Sequence, residues 1–186
     1  MGSYYGLQNV PTDPVSLSDA KDFLRIDFTK DDDIITDMIA AAVIWGQAYT
    51  QRDFSLHQWI GHYDRQCNDF SQSRPYLKVE RSPLTTLTSV EVSSNGVYAA
   101  TTDFVLKQRA GFDLVLLTAN FPIDDTVAYT FRVTFESGYA TLPENIKQAI
   151  LEHVSFLYEN RADAPTEPPQ QVKNLYAKQK LVIGYA

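Results

Sequence analysis

The sequence contains a single cysteine and no hydrophobic run of membrane-spanning length. Cys67 has no partner for an internal disulfide, so an intracellular site of synthesis is expected. The longest apolar run, Met38 to Trp45, is far shorter than the roughly 20 residues that cross a bilayer. Residues 1–9 also lack the basic start and apolar block of a signal peptide. We therefore expect neither insertion into a membrane nor export.

Signatures of catalytic sites are absent as well. No GxGxxG, P-loop, GxSxG or HExxH pattern occurs, and the spacing of His57, His62 and His153 matches no zinc site. Packing or surface roles explain these histidines more simply. Cys67 could act as a nucleophile beside a histidine, but without a family signature around it a small side chain with no catalytic role is the simpler interpretation. The sequence predicts no enzyme, no metal and no cofactor.

Positive charge is scarce and unevenly placed. The formal charge of −7 argues against a phosphate-binding surface over most of the molecule. The segment from Gln170 to Ala186 contains three lysines and no acidic residue, whereas the body before it carries 13 basic and 23 acidic residues, a net charge of −10. The hydrophobic content of 44% and the length of 186 residues are typical of a globular protein with one core. An acidic body therefore ends in a basic, partly apolar tail.

Apolar residues at helical spacing predict two helices in the first third of the chain. Ser16 followed by Asp19 is a capping-box-like start for a helix over 16–26. A longer helix is predicted over 31–51, where the run from Asp31 to Asp33 favours the positive end of the helix dipole. A calcium loop is the alternative for that run, but the required glycine and late glutamate are missing. Ile44 and Trp45 lie outside the main apolar stripe, so they must contact a second neighbour, either in the same chain or in another copy.

The apolar period changes to two between residues 54 and 136, which predicts a region of short antiparallel strands with meander connectivity. The clearest strand is Val127 to Phe135, and Asn95-Gly96 favours a two-residue hairpin turn. Thr141 is the predicted N-cap of a third helix over 142–160. We predict an α+β fold: a small helical bundle with an inserted antiparallel β meander, forming a single domain over 15–160.

Both ends of the chain are predicted to lie outside this domain. Residues 1–14 contain two prolines and no periodicity, which indicates an extended arm. Residues 161–186 begin with a proline-rich spacer, followed by one weak helical turn and an extended end. The final residues are unusually apolar for a solvated terminus. They either fold back on their own domain or dock into a partner, and we prefer the partner. The residues concerned are Leu181, Val182, Ile183 and Tyr185.

Three segments resemble the head-tail connector (adaptor) family of tailed bacteriophages and gene transfer agents. They are PVSLSDAKDFLRIDFTKDDDIITDMIAAAVIWGQAYTQRDF (14–54), RSPLTTLTSVEV (81–92) and FESGYATLPENIKQAILEHVSFLYENR (135–161). The order of two helices, a small sheet region, a glycine-tyrosine turn, a proline-started helix and a trailing tail is also that of the family. Gln51, in place of a small residue, and the stretch from Cys67 to Arg74 depart from its pattern.

The resemblance implies a structural virion protein located in the neck, at the portal vertex. Copies would form a ring, a dodecamer in that family, beneath the portal protein. The ring would lengthen the channel for packaged DNA, which passes through without specific binding, and would present a platform to a stopper or tail-completion protein. Another neck or tail-completion protein is the alternative, and an uncharacterised soluble enzyme is the weakest one.

The resemblance also suggests which residues make these contacts. Ile44 and Trp45 would bury their side chains against a neighbouring subunit in the ring. The C-terminal tail would bind the portal protein, and removal of 172–186 would leave a folded protein that no longer joins capsids. The predicted portal-binding residues are Val172, Lys173, Leu175, Tyr176, Lys178, Lys180, Leu181, Val182, Ile183 and Tyr185.

Overall fold

The computed structural model describes residues 3–8, 13–65, 76–79, 81–109, 112–118, 128–161 and 167–180. The chain divides into two compact units. The helical unit contains the described residues of 12–55 and 139–181, and the β unit contains those of 1–11 and 56–138. The predicted α+β class, with an antiparallel β region inserted between helices, is confirmed. The single domain predicted over 15–160 covers most of both units and stays a prediction.

The helical unit contains four helices within the described ranges. The first three lie within two residues of the bounds that apolar periodicity predicts. The fourth corrects the expectation of one weak turn after the proline-rich spacer, because it runs for eight residues. The helices are α1 (Leu17–Leu24), α2 (Asp32–Thr50), α3 (Glu144–Glu159) and α4 (Gln170–Ala177).

The helix starts follow the sequence signals only in part. The capping box at α1 is confirmed, since the Asp19 amide donates to Ser16 Oγ at 3.1 Å and the Ser16 amide donates to Asp19 Oδ2 at 3.4 Å. At α3 the predicted N-cap, Thr141, is wrong. Pro143 occupies that position, without a side-chain hydrogen bond to the helix. A proline lacks an N–H and has a fixed φ, so it suits a position where the chain enters a helix.

The core of the helical unit combines one face of each helix. Residues Ile35, Ile39 and Ala42 of α2 recur at three and four positions and are almost fully buried. The last helix contributes to the same core as the first three. The buried members are Val15, Ala20, Ile35, Ile39, Ala42, Val43, Phe54, Ile146, Ala149, Ile150, Leu151, Val154, Val172 and Tyr176.

The described residues of the β unit form two antiparallel sheets. A five-stranded sheet has the order β1-β2-β8-β4-β5, and a three-stranded sheet has the order β3-β7-β6. Three neighbouring pairs are consecutive in the chain, namely β1 with β2, β4 with β5 and β6 with β7, whereas β8 lies between β2 and β4. The strands are β1 (Ser3–Leu7), β2 (His57–Arg65), β3 (Tyr76–Val79), β4 (Leu84–Ser93), β5 (Ala99–Thr101), β6 (Phe104–Arg109), β7 (Phe112–Leu117) and β8 (Tyr129–Ser137).

The central strand β8 has the alternation that the sequence predicts. Phe131, Val133 and Phe135 are fully buried in the core of the β unit, while the residues between them are half-buried. Val127, the predicted start of this strand, lies outside the described residues. β8 is the central strand of the five-stranded sheet, and its alternation shows that one face of the strand is packed.

The N-terminal arm contains a strand that periodicity does not reveal. β1 pairs with β2, with Tyr5 opposite Gly61. A Cβ atom at Gly61 would lie 3.0 Å from the Tyr5 ring, so the glycine leaves room for that ring. The extended arm predicted over 1–14 is therefore corrected for residues 3–7, which form an edge strand of the five-stranded sheet.

The Asn95-Gly96 dipeptide turns the chain between β4 and β5, but in a longer loop than predicted. Val92 pairs with Ala99, so the connection exceeds two residues. Gly96 has a φ of +90°, whereas Asn95 does not have a positive φ. The Gly96 amide donates to Ser93 Oγ at 2.8 Å and the Val97 amide to Asn95 Oδ1 at 3.1 Å. These side-chain acceptors stabilise the wider loop in place of a two-residue turn.

Candidate interaction surfaces

The outer face of α2 carries an apolar stripe on the surface of the helical unit. Ile44 is 67% exposed and Ile34 is 44% exposed. Ala41 and Ala48 are also exposed and lie on the same side of the helix at three- and four-residue steps, interrupted by Asp37. We call Ile34, Ala41, Ile44 and Ala48 the α2 stripe. It faces away from the buried side of the helix, so it is open to a partner.

Trp45 has a different environment from its neighbour Ile44. Its ring is partly buried against the helical core and stacks on Tyr49, with ring centroids 4.9 Å apart. It also meets the edge of His153 at 5.5 Å. Of the two residues predicted to contact another subunit, the structure therefore places Ile44 on the surface and Trp45 within its own unit.

The acidic run at the start of α2 forms contacts inside the helical unit. Asp31 accepts hydrogen bonds from the Tyr158 hydroxyl at 2.6 Å and from Arg161 at 3.2 Å. These donors lower the pKa of Asp31, and the same bond raises the pKa of Tyr158. Asp32 pairs with Lys21 at 2.6 Å. The run thus ties the start of α2 to α1 and to the end of α3.

The described residues offer no group of three or more metal-ligating side chains. His153, on α3, is buried between Trp45 and Tyr176, and its Nδ1 has no hydrogen-bond partner. Burial lowers its pKa to about 4, because the charged imidazolium would lose its hydration there. His57 stacks on Trp59 at 5.7 Å in the β unit. His57 and His153 are therefore both buried residues that pack against aromatic rings.

The predicted portal-binding residues divide into three groups. Val172 and Tyr176 are buried in the core of the helical unit, so these two side chains are not open to a partner in this structure, and Leu175 is partly buried against that core. Lys178 and Lys180 are exposed, and Lys173 pairs with Glu167. The remaining four lie outside the described residues: Leu181, Val182, Ile183 and Tyr185.

Sequence reasoning missed two contact groups. The first is α4 with the residues that follow it, where Arg52 Nε donates to the carbonyl oxygen of Gln179 at 2.6 Å. The spacing of Val172 and Tyr176 by four residues was the available signal. The second is an aromatic group in the β unit, where the Arg81 guanidinium lies 4.2 Å from the centre of the Trp59 ring. No spacing in the sequence indicates that pair.

None of the helices in the described part of the chain combines the length and the apolar content needed to cross a bilayer.

Comparison with known proteins identifies both a family and a fold. A model of the head completion protein family matches residues 15–166. Three solved chains share the fold, each at 16% sequence identity over 97% of this chain and 97% of the other. They are described as the neck of an empty gene transfer agent (GTA) particle computed with C6 symmetry, the virion of a native GTA particle, and the neck of a native GTA particle computed with C12 symmetry. Their TM-scores are 0.72, 0.74 and 0.64. A search of curated protein sequences finds no match.

Proposed function

Because the chain belongs to the head completion protein family, we propose that it is a head-tail adaptor located in the neck of a phage-like particle. The prediction of a structural virion protein rather than an enzyme is confirmed by this family. The match over residues 15–166 is the observation that carries the proposal, since it covers helices α1 to α3 and strands β2 to β8. The similarity of fold to chains from GTA necks supports the same location.

We infer a ring of identical copies. The α2 stripe supports this, because an apolar helix face that remains exposed on one copy can be buried against the next copy in a closed ring. One of the similar neck structures was computed with C12 symmetry, which agrees with a dodecamer. Ile44 is the residue of the stripe with the largest exposed fraction, so we assign it to the contact between subunits.

The ring would extend the DNA channel below the portal protein. The acidic body repels phosphates, so packaged DNA would pass through the lumen without specific binding. The far side of the ring would serve as a platform for a stopper or tail-completion protein. The channel surface requires little attraction to DNA, which agrees with the scarcity of lysine and arginine before residue 170.

The C-terminal tail is the proposed contact with the portal protein. Val172 and Tyr176 are removed from the set of contact residues, because they are buried in the helical unit. The contact is assigned to Leu181, Val182, Ile183 and Tyr185, which supply apolar area, and to the exposed Lys178 and Lys180, which supply steering charge.

Purified portal rings and purified tail tubes test this assignment with two forms of the protein, the complete chain and a variant lacking 181–186. We expect portal rings to retain the complete chain and to lose the variant. Deletion of 181–186 leaves every described residue of the helical core in place, so we expect the unfolding transition of the variant to equal that of the complete chain, which serves as the folding control. Equal retention of both forms by portal rings contradicts the tail assignment. Retention by tail tubes alone supports the alternative of a tail-completion protein.

A further inference from the structure

Tyr176 fills a notch in the surface of α2. The notch exists because residue 46 is glycine: a Cβ atom there would lie 2.6 Å from Tyr176 Cε1 and 2.7 Å from Phe54 Cε2. Such distances are too short for non-bonded carbon atoms, so alanine and the Tyr176 ring cannot both occupy these positions. Glycine is a poor residue for the interior of a helix, and Gly46 lies well inside α2. The notch therefore fits Tyr176 at the expense of helix propensity.

Aromatic rings surround Tyr176 on the other sides. Its ring is stacked on Phe54 with an interplanar angle of 9° and lies 5.6 Å from the Trp45 ring. The hydroxyl donates to the carbonyl oxygen of Ala42 at 3.3 Å. Burial raises the pKa of Tyr176, so the phenol remains neutral at any ordinary pH. Together with Val172, this ring holds α4 against α2 and α3.

Contacts continue along the chain beyond α4. The carbonyl oxygen of Gln179 accepts from Arg52 at 2.6 Å, and the Gln179 side chain donates to Asn145 at 3.3 Å. The ammonium group of Lys180 lies 4.5 Å from the centre of the Tyr49 ring. The chain is therefore held at a defined place, beside the C-terminal end of α2, up to Lys180, which directly precedes the apolar residues assigned to the portal contact.

From this geometry we infer that the Gly46 notch and Tyr176 act as an anchor that sets the origin of the portal-binding tail. The inference rests on the proposed function. A tail with a fixed origin loses less conformational freedom on binding than a tail on a flexible tether. Tyr185 follows Lys180 by five residues, so in any conformation it can lie at most about 18 Å away. The portal surface must then approach the part of the helical unit that carries Tyr49, Arg52 and Asn145.

A linker inserted after Lys180 tests the fixed origin without touching the anchor. Sixteen residues of glycine and serine would be placed between Lys180 and Leu181 in the complete chain. The matched control carries the same linker between Asn95 and Gly96, in the exposed loop of the β unit. We expect the first insertion to weaken binding to portal rings by about tenfold or more and the control to bind as the unaltered chain does. Equal binding by the two insertion variants would overturn the inference.

Gly46→Ala tests the notch itself. Alanine favours α2, so any release of α4 must come from the overlap with Tyr176 and with Phe54, on which the Tyr176 ring stacks. We expect hydrogen exchange of the α4 amides to accelerate by at least about tenfold, because local opening exposes them, and portal affinity to fall with it. If the α4 amides exchange at an unchanged rate, the notch does not hold α4 in place. If they exchange faster but the affinity for portal rings is unchanged, the notch is not an anchor for the tail. Both of these results leave the proposed function standing, whereas failure of portal rings to retain the complete chain would overturn the function itself.

Discussion

Gly46 and His153 show how single residues set the packing of the helical unit. Glycine in a helix interior costs about 1 kcal/mol relative to alanine, and here it leaves the space that Tyr176 occupies. His153 lies on the other side of the same aromatic group, in contact with Trp45 and Tyr176. Its Nδ1 is buried without a hydrogen-bond partner. A neutral imidazole tolerates this environment, whereas a charged one does not.

Protonation of His153 should make stability depend on pH. In the folded state the pKa of His153 is lowered to about 4 from the ordinary value of 6.5, so the unfolded chain binds a proton first as the pH falls. Stability is then constant above pH 6.5 and decreases between pH 6.5 and 4, with a loss of about 2 kcal/mol at pH 5. Urea unfolding at pH 7 and pH 5 measures this loss, and His153→Leu should remove that part of the pH dependence. An identical pH dependence in the two proteins would contradict the prediction.

At the scale of elements, α4 and β1 lie in the two terminal segments that were predicted to be outside the domain, yet each packs into one of the two units. α4 contributes Val172 and Tyr176 to the helical core. In β1, the Tyr5 hydroxyl lies 3.1 Å from that of Tyr63, and the Tyr5 ring meets the Phe135 ring edge-on at 6.1 Å. An isolated short helix or a single strand is unstable in water, so each forms because a prebuilt face accepts it.

The packing of α4 changes the expected effect of truncation. The sequence predicts that removal of 172–186 leaves the fold intact, but the structure places two of these residues in the core. We expect that deletion to lower the free energy of unfolding by about 3 kcal/mol or more, since it exposes the apolar surface beneath both side chains. Thermal unfolding followed by circular dichroism measures the effect. Deletion of 181–186 alone is the matched control and should leave the transition unchanged. Equal stability of the two truncated proteins would be inconsistent with a structural role for α4.

At the scale of the whole molecule, charge and exposed apolar area suggest an assembly. The body before residue 170 has more acidic than basic residues, whereas the segment from residue 170 onward has three lysines and no acidic residue. The α2 stripe adds an apolar face to the helical unit. An acidic protein with a complementary apolar contact between copies suits a ring that surrounds DNA without binding it.

Ile44→Asp should impair the ring and leave the isolated protein stable. The side chain is 67% exposed, so aspartate costs little in a free copy but places a charge in the proposed contact between subunits. The matched control is Thr36→Asp, which adds the same charge at an exposed position of α2 outside the stripe. Electron microscopy of the protein mixed with portal rings measures ring assembly, and circular dichroism measures folding. We expect rings with the control and none with Ile44→Asp. Normal rings with Ile44→Asp would show that the α2 stripe lies outside the contact.

The sequence by itself determined the α+β class, the bounds of three helices, the capping box at Ser16 and the alternation of β8. These features depend on local spacing, since residues a few positions apart share a face of a helix or strand. The segments that resemble head-tail adaptors lie largely within residues 15–166, the region that the family match covers. Local spacing also identified Ile44 as apolar outside the main stripe.

Only the tertiary structure decided which apolar residues are left for a partner. Trp45 and Tyr176 are large aromatic residues of the kind that often lie in protein interfaces, yet both pack against other residues of the helical unit. The position of β8 between β2 and β4 likewise depends on strands far apart in the chain. The physical reason is the same in each case: burial is a property of surfaces that meet in space, and a linear pattern records only which residues can be buried.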